Sequence, residues 1–216
     1  AMRAALAGQL GATSAQILTA TTGPIGAPLD PAPIAAALPH ILAGEPNLNA
    51  FADALLTTDT VRKLVCCTYG GATFLGIAKG SGVVHPDMAT TIAMVLTDAD
   101  VPVAALHEAL QAALPRTLGA VTVDRETSTN DSAFVMATAC GPVLTDVRAP
   151  VQALLTELVK KIARDGEGAT RLCEVTVQGA QTEALALTAA RDVAASDLVK
   201  AAFFACDPNW GRLVAA

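Results

Sequence analysis

The stretch KGSGVVHPDMATTIAMVLT, residues 79–97, decides how this chain folds. Its first part places two glycines around a serine and continues to a proline, which is typical of a constrained loop. Its last part, residues 90–97, is a nearly continuous apolar and β-branched run of strand length. Such a run predicts a strand that is buried on both faces. The loop therefore leads directly into a rigid strand that begins at Thr90.

Outward from this strand, the chain alternates between short strand-like runs and amphipathic segments. Two β-like runs, residues 61–69 and 72–78, flank Gly70 and Gly71 and predict a hairpin. Other short apolar runs predict strands at residues 16–20, 120–123, 133–139 and 173–178. Apolar residues at helical spacing predict helices at residues 2–10, 31–42, 48–56, 103–113, 149–163 and 182–191. The alternation predicts an α/β or layered α+β fold.

Composition excludes several classes of protein. Of the 216 residues, 52% are hydrophobic and 16% charged, which is enough apolar material for a substantial core. The net charge is −6 and basic residues do not cluster, so nucleic acid and membrane surfaces are not expected partners. No apolar run reaches the roughly 18–20 residues that a membrane span needs, and no secretory pattern opens the chain. We therefore expect a cytoplasmic protein.

The cysteines and the first residues carry two further expectations. The five cysteines are odd in number and lack the spacing of a zinc site, so we expect reduced, buried thiols and no metal. The chain opens directly on a core-like helix rather than on a tail, which suggests a truncated chain.

The chemistry available to Thr90 depends on the base beside it. A threonine hydroxyl is a poor nucleophile without a base, and three histidines support a Ser-His-Asp arrangement only thinly. The alternative is an N-terminal threonine whose own amine, with a pKa of about 7.7–8.0, takes the hydroxyl proton. That alternative requires a cut between Ala89 and Thr90. From these residues alone, an ordinary strand start is the simpler interpretation.

Six short motifs follow one another along most of the chain. They are TTGPIG (21–26), TTDT (57–60), AKGSGVVHPDMAT (78–90), DRETSTND (124–131), IARDGEGAT (162–170) and VKAAFFACDPNWGR (199–212). In this order they resemble the ornithine acetyltransferases, the arginine-biosynthesis enzymes also called bifunctional glutamate N-acetyltransferases. The resemblance implies an Ntn-hydrolase-like sandwich, similar to that of the self-processing aminopeptidases. Members of the resembled family are longer at both ends, so we expect this chain to be a fragment that lacks both termini.

The resemblance also implies an activity. The chain would cut itself between Ala89 and Thr90 into an α segment (1–89) and a β segment (90–216) of one catalytic unit, assembled as αβ or α2β2. In a ping-pong transfer, N2-acetylornithine would acetylate Thr90, ornithine would leave, and glutamate would accept the acetyl group. No cofactor is implied, and use of acetyl-CoA as a co-substrate stays open.

Thr22 and Gly23 match the family's oxyanion hole, through a side-chain hydroxyl and a backbone N–H. The surrounding loop departs from the family pattern, with Thr21 where serine is commoner and Pro24 where an aliphatic residue is usual. Neither departure touches the two implied donors.

Three residues besides Thr90 match substrate-binding positions of the family. Lys79 would pair with the α-carboxylate of an amino acid and Glu167 with an ornithine ammonium. Thr57 would contact substrate, although TTDT reads equally as a helix end with capping side chains. His85 lies close to Thr90 in the sequence and could assist the cut, but a loop residue with a structural hydrogen bond is the simpler interpretation. Other motif residues receive no chemical step: Asn130, Asp131, Asp207, Asn209 and Arg212.

Two other functions stay open. The first is a self-processing aminopeptidase or amidohydrolase, in which water replaces the amino-acid acceptor. The second is an inactive, truncated family member, because the family's last substrate-binding Asn and Thr lie beyond the end of this chain. Lys79 and Glu167, suited to an amino acid, favour transfer.

Overall fold

A four-stranded mixed sheet organises the fold, in a computed structural model that describes residues 1–85 and 91–216. Its strands lie in the order of the chain, with β1–β2 and β2–β3 antiparallel and β3–β4 parallel. Their bounds are β1 Lys63–Tyr69, β2 Ala72–Lys79, β3 Ile92–Thr97 and β4 Ser132–Ala137. The predicted mixed α/β class is confirmed.

The connections follow from local sequence. Gly70 and Gly71, with φ of 58° and 82°, form the two-residue turn between β1 and β2, so the predicted hairpin is confirmed. The parallel pair β3–β4 needs a crossover, which the helix α4 (Val103–Ala113) supplies. Because β2 and β3 are antiparallel, with Lys79 opposite Ile92, the end of β2 and the start of β3 lie side by side at one edge of the sheet.

One face of the sheet packs on α4 and on α5 (Arg148–Arg164), which lies across β1 and β2. Phe74 and Val95 from the sheet are fully buried in the same cluster as Leu154 and Leu158 from α5. Alternate residues of β2 and β3 face this cluster, as a half-buried strand requires. This packing fixes the C-terminus of α5 relative to the sheet edge.

The chain divides into two compact units, residues 1–51 and 52–216. In the first unit, α1 (Met2–Leu10) ends at Gly11, and α2 spans Ala32–Ala43. The strand predicted at residues 16–20 is wrong, because a 3₁₀ turn at Ser14–Gln16 and a loop occupy that stretch. α3 follows at Leu48–Leu55. The predicted division at Ala89/Thr90 falls outside the described residues and stays a prediction.

The second unit contains more helix and less strand than predicted. Residues 120–123 and 173–178 are not strands, because neither run pairs with another strand among the described residues. The helix predicted at 182–191 is observed as α6 (Glu183–Ala195), which extends four residues further than predicted. Two more helices, α7 and α8, occupy Asp197–Ala205 and Trp210–Ala215.

The cysteines are more exposed than predicted. All five thiols are free, but four are exposed and Cys67 is half-buried, so the expectation of buried thiols is wrong. Burial raises the pKa of the Cys67 thiol. None of the helices in the described ranges is long and apolar enough to cross a membrane.

Candidate active site

The predicted nucleophile and cleavage site, Thr90 and Ala89, lie outside the described residues. Their described neighbours are anchored on both sides. His85 Nδ1 lies 3.1 Å from Thr122 Oγ1, which agrees with the predicted structural hydrogen bond. The Thr91 N–H donates to Asp131 Oδ1 at 2.8 Å.

A buried ion cluster lies beside the sheet edge where β2 ends. Lys63 Nζ lies 2.6 Å from Asp59 Oδ1 and 2.6 Å from Asp165 Oδ2. The side chains of Lys63 and Asp59 are 0% exposed and that of Asp165 is 6% exposed. We call these three residues the ion triad. Burial of three charges is tolerated only with close partners and further hydrogen bonds, and both carboxylates have them.

The ion triad joins three of the sequence motifs. Asp59 accepts hydrogen bonds from the N–H groups of Thr57 at 3.2 Å and Gly80 at 2.7 Å. The Ser81 hydroxyl donates to the main-chain carbonyl of Asp165 at 2.6 Å. The triad therefore holds the TTDT motif, the KGSG loop and the end of α5 against one another.

Lys79, the last residue of β2, is 2% exposed. Burial lowers the pKa of Lys79, and the negative charges of Asp59 and Asp131 oppose that shift. The positive charge of Lys63 acts in the same direction as burial. The predicted substrate-binding lysine thus lies in the electrostatic field of the triad rather than on the solvated surface.

Glu167 follows the end of α5 and is exposed. Its N–H donates to the Ser81 carbonyl at 3.0 Å. Its carboxylate lies against Gly82, where a Cβ would come within 2.5 Å of Oε1. A side chain at position 82 would displace the Glu167 carboxylate from this place, so Gly82 leaves room for it.

The predicted oxyanion hole lies in the first unit. Thr22 is half-buried and Gly23 is exposed, with a φ of 145°, in the loop that precedes α2. Their role as oxyanion donors stays a prediction. Thr57 is exposed, and only its backbone N–H reaches the triad. The structure thus holds the Thr57 backbone at Asp59, places Lys79 in the field of Asp59 and Lys63, and links Glu167 to Asp165 through Ser81.

The sequence motifs did not predict the ion triad, in which Lys63 pairs with Asp59 and Asp165. Lys63 reads as the polar first residue of a strand, and the two aspartates lie inside motifs without an assigned task. A lysine at the start of an otherwise apolar run is a weak signal for a buried ion pair. Its second partner lies 102 residues away, so sequence spacing does not reveal it.

The two carboxylates of the triad are stabilised as anions. Burial raises the pKa of Asp59, but hydrogen bonds, first from the Gly80 N–H and then from Lys63, outweigh burial and lower the pKa below 3.8. Burial likewise raises the pKa of Asp165. The hydrogen bond from Lys63 lowers it, and the net result is a pKa below the usual range.

We expect these shifts to make the fold sensitive to acid. Because the unfolded aspartates bind protons at a higher pH than the folded ones, unfolding takes up protons, and the free energy of unfolding falls below about pH 4. Above about pH 5 the contribution is fully present. Urea unfolding between pH 7 and pH 3 measures this. Asp59→Asn should lower the pH 7 midpoint and flatten its dependence on pH, and an equally steep dependence in the variant would contradict the assignment.

Comparison with known proteins identifies relatives along the whole chain. The ArgJ family model matches residues 1–216. A Thermus thermophilus protein named arginine biosynthesis bifunctional protein ArgJ is 49% identical over 210 residues, covering 96% of this chain and 55% of that protein. Proteins of the same name from Deinococcus radiodurans and Geobacter sulfurreducens are 45% and 42% identical, covering 100% and 98% of this chain and 56% and 58% of their own lengths. The chain thus spans little more than half the length of these curated relatives.

Proposed function

The chain belongs to the ArgJ family, and from that premise we propose that the full-length protein transfers an acetyl group from N2-acetylornithine to glutamate. The transfer proceeds through an acetyl ester on Thr90, after the chain cuts itself between Ala89 and Thr90. The observation that carries this proposal is the hydrogen-bond network of the ion triad, in which Asp59 holds Thr57 and the residue after Lys79, and Ser81 links Asp165 to Glu167.

The charges in this cluster suit an amino-acid substrate. Acetylornithine and glutamate both carry an α-carboxylate, for which Lys79 offers an ammonium. Ornithine also carries a side-chain ammonium, for which the exposed carboxylate of Glu167 is a partner. Lys79 can hold the α-carboxylate of glutamate as well as that of the donor, and a hydrolase that uses water as its acceptor needs no group for an acceptor carboxylate, so this cluster favours transfer over hydrolysis.

The nucleophile requires only groups within the chain. Once the bond to Ala89 is cut, the Thr90 amine takes the hydroxyl proton and returns it to the departing nitrogen. Thr22 and Gly23 would donate to the oxyanion of each tetrahedral intermediate, and one such donor is typically worth about 2.7–4 kcal/mol of barrier.

We expect the full-length protein to form N-acetylglutamate from N2-acetylornithine and glutamate, because Lys79 and Glu167 hold an amino acid where water would otherwise attack. Chromatographic measurement of acetylglutamate and free acetate checks this. Acetate as the main product with glutamate present would favour the aminopeptidase-like hydrolase, and no turnover would favour an inactive family member. A parallel reaction with acetyl-CoA as donor tests its use as co-substrate.

A further inference from the structure

Glu167 lies in the turn that follows α5, and the backbone of this turn is fixed from two sides. The Glu167 N–H donates to the Ser81 carbonyl at 3.0 Å, and the Ser81 hydroxyl donates to the Asp165 carbonyl at 2.6 Å. Gly166 is buried, and a Cβ there would come within 2.8 Å of the Val123 side chain. Because the packing leaves no space, the turn has little freedom to move relative to the end of β2.

The side chain of Glu167 is exposed, and its carboxylate lies beside the backbone of Gly82. A Cβ on Gly82 would lie 2.5 Å from Oε1 and 2.6 Å from the carboxyl carbon, closer than Cβ atoms lie to nonbonded atoms in proteins. The φ of Gly82 is negative, so its backbone conformation does not itself require glycine. The missing side chain at position 82 therefore serves one purpose here, which is to leave room for the carboxylate.

The Glu167 carboxylate has no ion-pair partner in the part of the chain that the structure describes. Two acids close to it in the sequence do have partners. Asp165 pairs with Lys63 at 2.6 Å, and Glu174 pairs with Lys160 at 3.1 Å. An exposed carboxylate that rests against backbone, rather than against a cation, can pair with a cation that a ligand brings.

One short segment carries both charges that the proposed function assigns to the substrate. Lys79 ends β2, and Gly82, against which the Glu167 carboxylate lies, follows three residues later. The Gly80 N–H between them donates to the buried Asp59 at 2.7 Å. The positions of the ammonium and of the carboxylate are therefore set by the same anchored segment.

The two halves of the proposed transfer make opposite demands on this carboxylate. In a ping-pong reaction the donor and the acceptor occupy the same place in turn. N2-acetylornithine brings a side-chain ammonium, which Glu167 attracts, whereas glutamate brings a side-chain carboxylate, which Glu167 repels. A carboxylate displaced from Gly82 would attract the donor less and repel the acceptor less. Its position therefore sets the balance between the two substrates.

We propose that Gly82 is a specificity-determining residue of the acetyl transfer, because its lack of a side chain lets the Glu167 carboxylate lie where it receives the side-chain ammonium of ornithine. The inference rests on the proposed function, which assigns Glu167 to that ammonium. Gly82 acts through Glu167, so it is a positioning residue rather than a catalytic one.

Binding of ornithine and norvaline to the full-length protein tests this role without turnover, since norvaline is the same amino acid without the side-chain amine. We expect the wild type to bind ornithine about 10-fold more tightly than norvaline, the scale of one charge-assisted hydrogen bond. Gly82→Ala should lose most of this preference and bind norvaline as the wild type does. Its urea unfolding midpoint should not change, because only the flexible end of Glu167 has to move. Calorimetric titration measures both affinities.

A double-variant cycle shows whether Gly82 acts through Glu167. Glu167→Gln should also lose the preference for ornithine, and Gly82→Ala added to it should weaken ornithine binding no further. Glu174→Gln is the matched control, because it removes a neighbouring exposed carboxylate that already pairs with Lys160. This control variant should keep the full preference for ornithine.

Three results would overturn the inference: an unchanged preference in Gly82→Ala, additive losses in the double variant, or a wild type that binds both amino acids equally. In the transfer assay, Gly82→Ala should raise the KM for N2-acetylornithine but not that for glutamate, and an equal rise in both would also contradict the role. If Gly82→Ala loses the wild-type preference for ornithine, yet the wild type forms no acetylglutamate, the proposed transfer fails and the role of Gly82 stands.

Discussion

Thr90→Ala should leave the full-length protein as one uncut chain without acetyl transfer, whereas the wild type should yield two fragments. Alanine lacks the hydroxyl that attacks the Ala89 carbonyl and later carries the acetyl group. Loss of a covalent nucleophile typically costs about 10⁴-fold or more in rate. Intact-mass measurement identifies Thr90 as the new N-terminus, and incubation with N2-acetylornithine alone should add one acetyl group to the β segment.

The neighbouring Thr91 provides the control for this experiment. Thr91 is buried, 4% exposed, and its backbone N–H is held by Asp131 Oδ1, a bond that alanine at this position keeps. Thr91→Ala should therefore still be cut and still transfer acetyl groups. A wild-type protein that remains uncut, or a Thr90→Ala protein cut at the same bond, would refute the nucleophile assignment.

Lys63→Met should lower the free energy of unfolding by about 3–5 kcal/mol at pH 7, because two buried carboxylates then remain without their cation. Methionine nearly matches the length of lysine, so packing is largely kept. The loss should be smaller below about pH 4, where protonation of Asp59 or Asp165 relieves the repulsion. Urea unfolding at both pH values measures these effects.

Arg62 is the matched control, one residue away and paired with Asp53. That pair is about half exposed, with side-chain exposures of 44% and 50%, so solvent screens it. Arg62→Met should hardly change the unfolding midpoint. In the double variant Lys63→Met, Asp59→Asn the losses should be less than additive, since one broken pair is counted in both single variants. A Lys63→Met protein as stable as the wild type would refute the role of the triad.

The strands of the sheet were predictable from local pattern because their runs are apolar and bounded by turns. The hairpin at Gly70 and Gly71 and the strand after the KGSG loop follow from such patterns. Similar runs at residues 16–20, 120–123 and 173–178 are not strands. A strand forms only where a second strand supplies ladder hydrogen bonds, and that partner is not visible in the run itself.

The candidate site shows the same division. The residues with chemistry to perform, including Lys79 and Glu167, were identified from the six motifs. The residues that position them were not. Lys63 and Asp165 are 102 residues apart, and the contact of Asp131 with the Thr91 N–H spans 40 residues.

By itself the sequence determined the mixed α/β class, the positions of the four sheet strands, the family and the candidate catalytic residues, because these depend on local pattern and ordered motifs. Only the tertiary structure decided which runs pair as strands, which charges are buried and what each buried carboxylate contacts. The physical reason is that ladder hydrogen bonds and buried ion pairs both require a partner from a distant part of the chain, and folding alone brings that partner into contact.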